Sequence, residues 1–218
     1  MQKIVSIVII VFNTCFLIAQ TYPFQSEIDA FKMDDQAHPN RVVGTLFIGS
    51  SSIRLWKNLD QVFPEFHPLN RGFGGAILPH IMHFAPDMIY PYNPRQVVIY
   101  CGENDLVADT TLTAMDILNR TKQLINLIKA NTKAKNILII SLKPSLARWN
   151  IRDKNQEANR LIKAYCNTQK NLNFLDVWDS MLDDQKMPMK DIFVADGLHM
   201  NEKGYAIWNQ AIRKYLIK

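Results

Sequence analysis

The sequence predicts an α/β fold around a parallel sheet of about five strands, and three observations lead there. Five short apolar runs recur along the chain, and the strongest are apolar at consecutive rather than alternate positions. That is the pattern of strands covered on both faces. Segments with apolar residues at i, i+3, i+4 and i+7 follow the later runs, the spacing of helices that bury one stripe. Because strands and helices alternate, right-handed crossovers and helices on both sides of the sheet are expected.

The elements follow in order. The opening MQKIVSIVIIVFNTCFLIAQ has one lysine near its start, then an apolar run, then Ala19-Gln20. A basic start, an apolar stretch of roughly 7–15 residues and a small residue at the junction describe a secretory signal peptide. Residues 1–20 are read as that leader and 21–218 as a single domain, exported to the periplasm or beyond and without stable membrane insertion after cleavage. An uncleaved anchor is the alternative. Cys15 invites a lipoprotein reading, but Asn13-Thr14 suit that poorly.

GTLFIG (44–49) is the first strand, and PLNRGFGG (68–75) a shorter one running into a glycine-rich turn. QVVIYCG (96–102) and NILIISL (136–142) are strongly β-like, and NLNFLDV (171–177) is the fifth. Helices are predicted over 112–130, with Leu124, Leu127 and Ile128 on one face, and over 153–166, with Ala158, Leu161, Ile162 and Tyr165. The last helix begins near Asn201, a favourable N-cap, and repeats Ile207/Trp208, Ala211/Ile212 and Tyr215/Leu216.

Composition narrows the function. Over 218 residues, 48% hydrophobic and 21% charged side chains describe one globular domain. The formal charge of +5 is spread along the chain without a basic block, which argues against a nucleic-acid partner. Cys101 and Cys166 lie in apolar contexts and read as buried free thiols. No cluster of Cys, His and carboxylates has metal-ligand spacing. His80 and His83, three apart after the glycine turn, read as partly exposed helix residues, and His38 and His67 as loop residues.

In sheets of this kind ligands bind beyond the carboxyl ends of the strands. Four clusters lie at those ends or near the C-terminus: Gly49-Ser50-Ser51-Ser52, Asn70 to Gly75, Gly102-Glu103-Asn104-Asp105 and Asp196-Gly197-Leu198-His199. Each is weak alone, since serines cap helices, paired glycines make turns and Asp-x-x-His arises by chance. In this order they resemble the blocks of the GDSL/SGNH hydrolase family: Gly-Asp-Ser, Asn-x-x-x-x-Gly, Gly-x-Asn-Asp and Asp-x-x-His. The resemblance spans about residues 44 to 212, in the branch that holds platelet-activating-factor acetylhydrolase subunits and bacterial secreted esterases. It implies a three-layer α/β/α sandwich with a flavodoxin-like sheet.

The resemblance also implies roles. Aligned on Gly49, Ser51 is the nucleophile, His199 the base and Asp196 the group that orients the imidazole. Ser50 stands where the family has Asp, a carboxylate expected to brace the turn, and Ser52 is expected to cap the next helix. The oxyanion hole would use the backbone N–H of Ser51, the backbone N–H of Gly75 and the side-chain amide of Asn104. Glycine at 75 would let that backbone donor approach the substrate without a Cβ in the way. Arg148 and Trp149, in a loop directly after a strand, are candidates to line the acyl or alcohol pocket. Trp149 packing its loop onto the core is the alternative.

The implied activity is cleavage of short-chain esters, acetyl above all, through an acyl-serine intermediate and without a cofactor or metal. The substrate would be an acetylated carbohydrate or a small lipid ester. The alternatives are an acyltransferase with the same triad and an inactive SGNH-fold binding module. A flavodoxin-like nucleotide binder is remote, because GFGGA lacks a phosphate-loop signature.

Overall fold

The computed structural model describes residues 22–218, so the expected leader lies outside the described residues. β1 (Thr45–Gly49), β2 (Pro68–Gly72), β3 (Gln96–Tyr100), β4 (Asn136–Ile140) and β5 (Leu172–Leu175) form one sheet in the order β2-β1-β3-β4-β5. Every adjacent pair is parallel. The five apolar runs are these strands, and the architecture is the three-layer sandwich expected.

The consecutive apolar residues are explained by the two sides of the sheet. Leu46 and Ile48 pack with Ile99, Ile139 and Ile162 on one face. Phe47, between them, packs with Val98, Leu138 and Trp208 on the other. Strand side chains alternate faces, so an uninterrupted run is required where both faces are dry. Each such side chain contributes about 1.5–3 kcal/mol on full burial.

The first face is covered by α1 (Gln25–Ala37), α7 (Ala114–Asn131) and α8 (Arg152–Asn167), which bury Ile28, Leu124 and Ile162 there. The short α4 (Leu78–His83), α5 (Ala85–Met88) and α6 (Glu103–Ala108) join that layer through Ile81, Met88 and Leu106. On the second face lie the short α2 (Ser51–Arg54) and α3 (Leu59–Val62), with α9 (Glu202–Ile212) supplying Trp208 and Ile212. α7 opens with a reciprocal cap between Thr113 and Asp116. α9 opens at Asn201, whose side chain accepts from the N–H groups of Lys203 and Gly204.

α1 is absent from the sequence reading, since its apolar stripe is weak and Ile28 is its only fully buried residue. A long-range ionic network holds it instead. Arg71 of β2, nearly buried, bonds Asp34 at 2.9 Å and also Asp35, and its Nε donates to Tyr92 Oη at 2.7 Å. Tyr92 in turn donates to Asp35 at 2.5 Å, while Arg41 closes on Asp34 at 2.6 Å. The Arg41 guanidinium, with Arg71, holds the Asp34 carboxyl well below the usual range despite partial burial. Burial pushes the Tyr92 phenol up to about 12. This network anchors α1 beside the sheet's edge strand.

One expectation needs correction. Ser52 is not a helix cap: it is buried inside α2, and Ser50 holds the cap position without a side-chain bond. A helix that starts one residue after β1 leaves room for only one residue at its cap. At Gly75 an added Cβ would meet the Phe24 ring at 3.7 Å, ordinary contact, so protein packing does not demand glycine there. Its φ of +73° favours glycine independently, being a conformation that L side chains rarely adopt. Cys101 and Cys166 are both buried and free.

Candidate active site

The strand register sets the site. Gly49, the last residue of β1, stands level with Gly72 of β2 and Tyr100 of β3, so three carboxyl ends finish together. The sheet order reverses direction beside β1, between β1 and β3, the crevice where such sheets bind ligands. Ser51 leaves β1 and Asn104 follows β3, one on each side of it.

The turn that presents Ser51 is built by glycine and by Asn70. Gly49 has φ +143°, and a Cβ there would lie 2.0 Å from the Tyr100 carbonyl oxygen. No other residue fits between these strands. Ser50 N–H donates to that same carbonyl at 3.0 Å. Asn70 accepts from Gly72 N–H at 2.9 Å and donates to the carbonyls of Ile53 at 2.6 Å and Trp56 at 3.3 Å. One amide therefore ties β2 to the far end of the Ser51 turn. This bracing does not use the side chain at position 50.

Of the three serines, Ser50 and Ser52 are buried, whereas Ser51 reaches a cavity of about 320 Å3. Its Oγ lies 2.9 Å from His199 Nε2. His199 Nδ1 lies 2.6 Å from Asp196 Oδ2, while Asp196 Oδ1 accepts from the backbone N–H groups of Leu198 at 2.8 Å and His199 at 2.9 Å. An ionised carboxylate only accepts, so Nδ1 carries the proton and donates to Asp196. Nε2 is left to accept from the Ser51 hydroxyl. Desolvation works against the Asp196 carboxylate, but the two backbone donors and the imidazole outweigh it and bring its carboxyl down to about 2.

The loop carrying this pair is a closed turn. Val194 N–H donates to the His199 carbonyl at 2.9 Å and Ala147 N–H to the Gly197 carbonyl at 3.1 Å. The loop after β4 thus props the loop that bears the histidine.

Gly75 and Asn104 line the same cavity. Asn104 Nδ2 donates to the Ala76 carbonyl at 2.9 Å, which fixes the amide and leaves it a second N–H. Among the described residues, the N–H groups of Ser51 and Gly75 have no protein acceptor. Asp105, fully buried, accepts from Leu78 N–H at 3.0 Å and Arg120 at 2.7 Å. It joins the loop after β3 to the start of α4. Burial pushes its carboxyl up, with Arg120 opposing.

Arg148 lines the cavity. Trp149 does not: its ring stacks on Trp178, with centroids 6.2 Å apart. The loop turns its arginine inward and its tryptophan onto a neighbouring loop. Two charged groups went unread in the sequence. Arg54, at the end of α2, also lines the cavity. Lys143, 1% exposed, lies 3.8 Å from Glu103, which accepts from Tyr100 Oη at 2.8 Å and has Arg148 at 3.4 Å. Burial pulls the Lys143 ammonium down and Glu103 opposes it. The one available signal for Lys143 was its place just past an apolar strand. Among the described residues, no group of three or more Cys, His, Asp or Glu side chains is placed to hold a metal ion. None of their helices is long and apolar enough to cross a membrane.

Comparisons with known proteins bear on the family and the fold. A model of the GDSL-like Lipase/Acylhydrolase family matches residues 49–207. The platelet-activating factor acetylhydrolase IB subunit alpha2 of Rattus norvegicus is 26% identical over 167 residues, covering 74% of this chain and 70% of its own. A GDSL-like lipase of Bacteroides thetaiotaomicron superposes with a TM-score of 0.69 at 21% identity, over 87% of this chain and 96% of the other. A catalytic mutant of an acetylxylan esterase from Geobacillus stearothermophilus gives 0.63 at 16% identity, over 81% and 96%. At such identities these two structures speak for the fold alone.

Proposed function

The chain belongs to the GDSL-like lipase/acylhydrolase family, and from that premise we propose that it is a serine esterase cleaving short-chain, chiefly acetyl, carboxylic esters. The observation that carries the reading is the chain of contacts from Ser51 Oγ through the His199 ring to Asp196, opening on the cavity that Gly75 and Asn104 share. His199 Nε2 takes the Ser51 proton as Oγ attacks the ester carbonyl. The N–H groups of Ser51, Gly75 and the Asn104 amide receive the developing oxyanion. His199 then protonates the leaving alcohol, and water activated by the same ring releases the acid from acyl-Ser51. No step calls for a metal or cofactor.

The small acyl group is supported by a relative whose name specifies an acetyl ester, a platelet-activating factor acetylhydrolase subunit. An acetylated carbohydrate is our first choice of substrate and a small lipid ester the second. Export through the 1–20 leader belongs to the same reading, and N-terminal sequencing of the secreted protein would test it.

The decisive comparison is wild type against Ser51→Ala on a short-chain chromogenic ester and a panel of acetylated sugars. We expect kcat to fall by about 10⁴-fold or more in Ser51→Ala. Full activity there removes Ser51 as nucleophile, and loss in Ser50→Ala or Ser52→Ala alone would move the role to that serine.

A further inference from the structure

Resting on the esterase reading, we propose that the ester taken by this site carries an anionic group on its alcohol side, recognised by Arg54 and Arg148. The ionisable side chains lining the cavity at Ser51 are His199 and these two arginines, and no carboxylate lines it. The remaining apolar contributions come from Leu55 and Leu198.

Both guanidinium groups have donors to spare. Arg54 makes no ion pair or side-chain hydrogen bond with any described residue. Arg148 makes one contact, Nη1 at 3.4 Å from Glu103 Oε1. That carboxylate is itself buried and already shared with Tyr100 and Lys143. Their planar forks of N–H donors match a carboxylate or phosphate.

Arg54 is exposed, and its guanidinium lies over Gly74, where an added Cβ would stand 2.8 Å from Nη1 and displace the end of that side chain. Arg54 also lines an adjoining groove of about 460 Å3 beside α1 and β2, whose mixed charges include Lys57, Glu27 and Asp60. Arg54 thus stands between the catalytic cavity and this groove, lining both. An acetyl group cannot itself carry the charge, which places the anion on the alcohol.

The test compares three acetyl esters: an acetylated methyl glycoside, the corresponding acetylated uronic acid glycoside, and the acetyl ester of a glycerol phosphate. Acetate release gives kcat/KM for wild type, Arg54→Gln and Arg148→Gln. We expect wild type to favour one anionic ester over the neutral one, the uronate marking a carboxylate site and the glycerol phosphate a phosphate site. That ratio should drop by about tenfold in each variant, mainly through KM, and shrink as salt is raised. Arg54→Gln removes no ion pair, so it remains informative if Arg148→Gln disturbs Glu103. A wild-type ratio near one, or a ratio unchanged in both variants, overturns the inference while the esterase reading stands. No hydrolysis of any of the three esters, or full activity in Ser51→Ala, overturns that reading and the inference together.

Discussion

Asp196 illustrates how a residue's role depends on what its oxygens accept. One oxygen takes two backbone N–H groups and the other takes the His199 ring, so its carboxyl is held at about 2. A carboxyl depressed in the folded state stabilises the fold above its unfolded value, near 3.9, and loses that contribution as pH falls toward 2. Between pH 4 and 8 it stays ionised. Asp196→Asn keeps the shape but replaces the acceptor facing Nδ1. We expect kcat to drop by about 10³–10⁴-fold with little change in KM. At this scale the sequence was legible by spacing: Asp196 and His199 share one turn. Alignment on Gly49 singled out Ser51, but that Ser50 and Ser52 are buried beside it depends on where α2 begins.

Among the elements, α9 best shows local sequence and distant packing working together. Asn201 caps it, and the same side chain donates to the carbonyls of Asp191 at 2.8 Å and Phe193 at 3.2 Å. It thereby fixes both the helix and the start of the loop that carries His199. Replacing it with alanine should cost about 1–2 kcal/mol of stability, read as a lower urea midpoint with unchanged slope, and should lower kcat as the loop loosens. If only stability moves, Asn201 does not position His199. The helix was readable because a cap and an apolar stripe lie within its own residues. α1 was not, since its support comes from Arg71, thirty-seven residues beyond Asp34.

Across the whole molecule, the Arg71 network ties α1 to the sheet at the end where the site opens. Arg71 is 4% exposed as a side chain, while Asp34 and Asp35 keep contact with solvent. Arg71→Met should remove about 2–3 kcal/mol, below the full cost of breaking a wholly buried pair. The depressed Asp34 carboxyl adds a pH signature. Wild type should lose stability steadily as pH falls below about 4, and the variant should lose less over that range. Thermal unfolding at pH 2.5 and pH 7 checks both. Equal pH slopes would mean that Asp34 gains nothing from Arg71.

By itself the sequence determined the sandwich and the order of the site's parts. Both are written in short windows, as uninterrupted apolar runs such as Leu46-Phe47-Ile48 and as turns such as Asp196 to His199. Tertiary structure decided which atoms meet. Asn70 had to cross from β2 before its amide could brace the turn from which Ser51 projects, and Arg54 had to fold over Gly74 to reach the cavity. The buried meeting of Tyr100, Glu103, Lys143 and Arg148 unites the ends of two strands that lie forty residues apart. Local periodicity records which side of an element is apolar. It carries no record of distances between residues that only the folded sheet brings within bonding range.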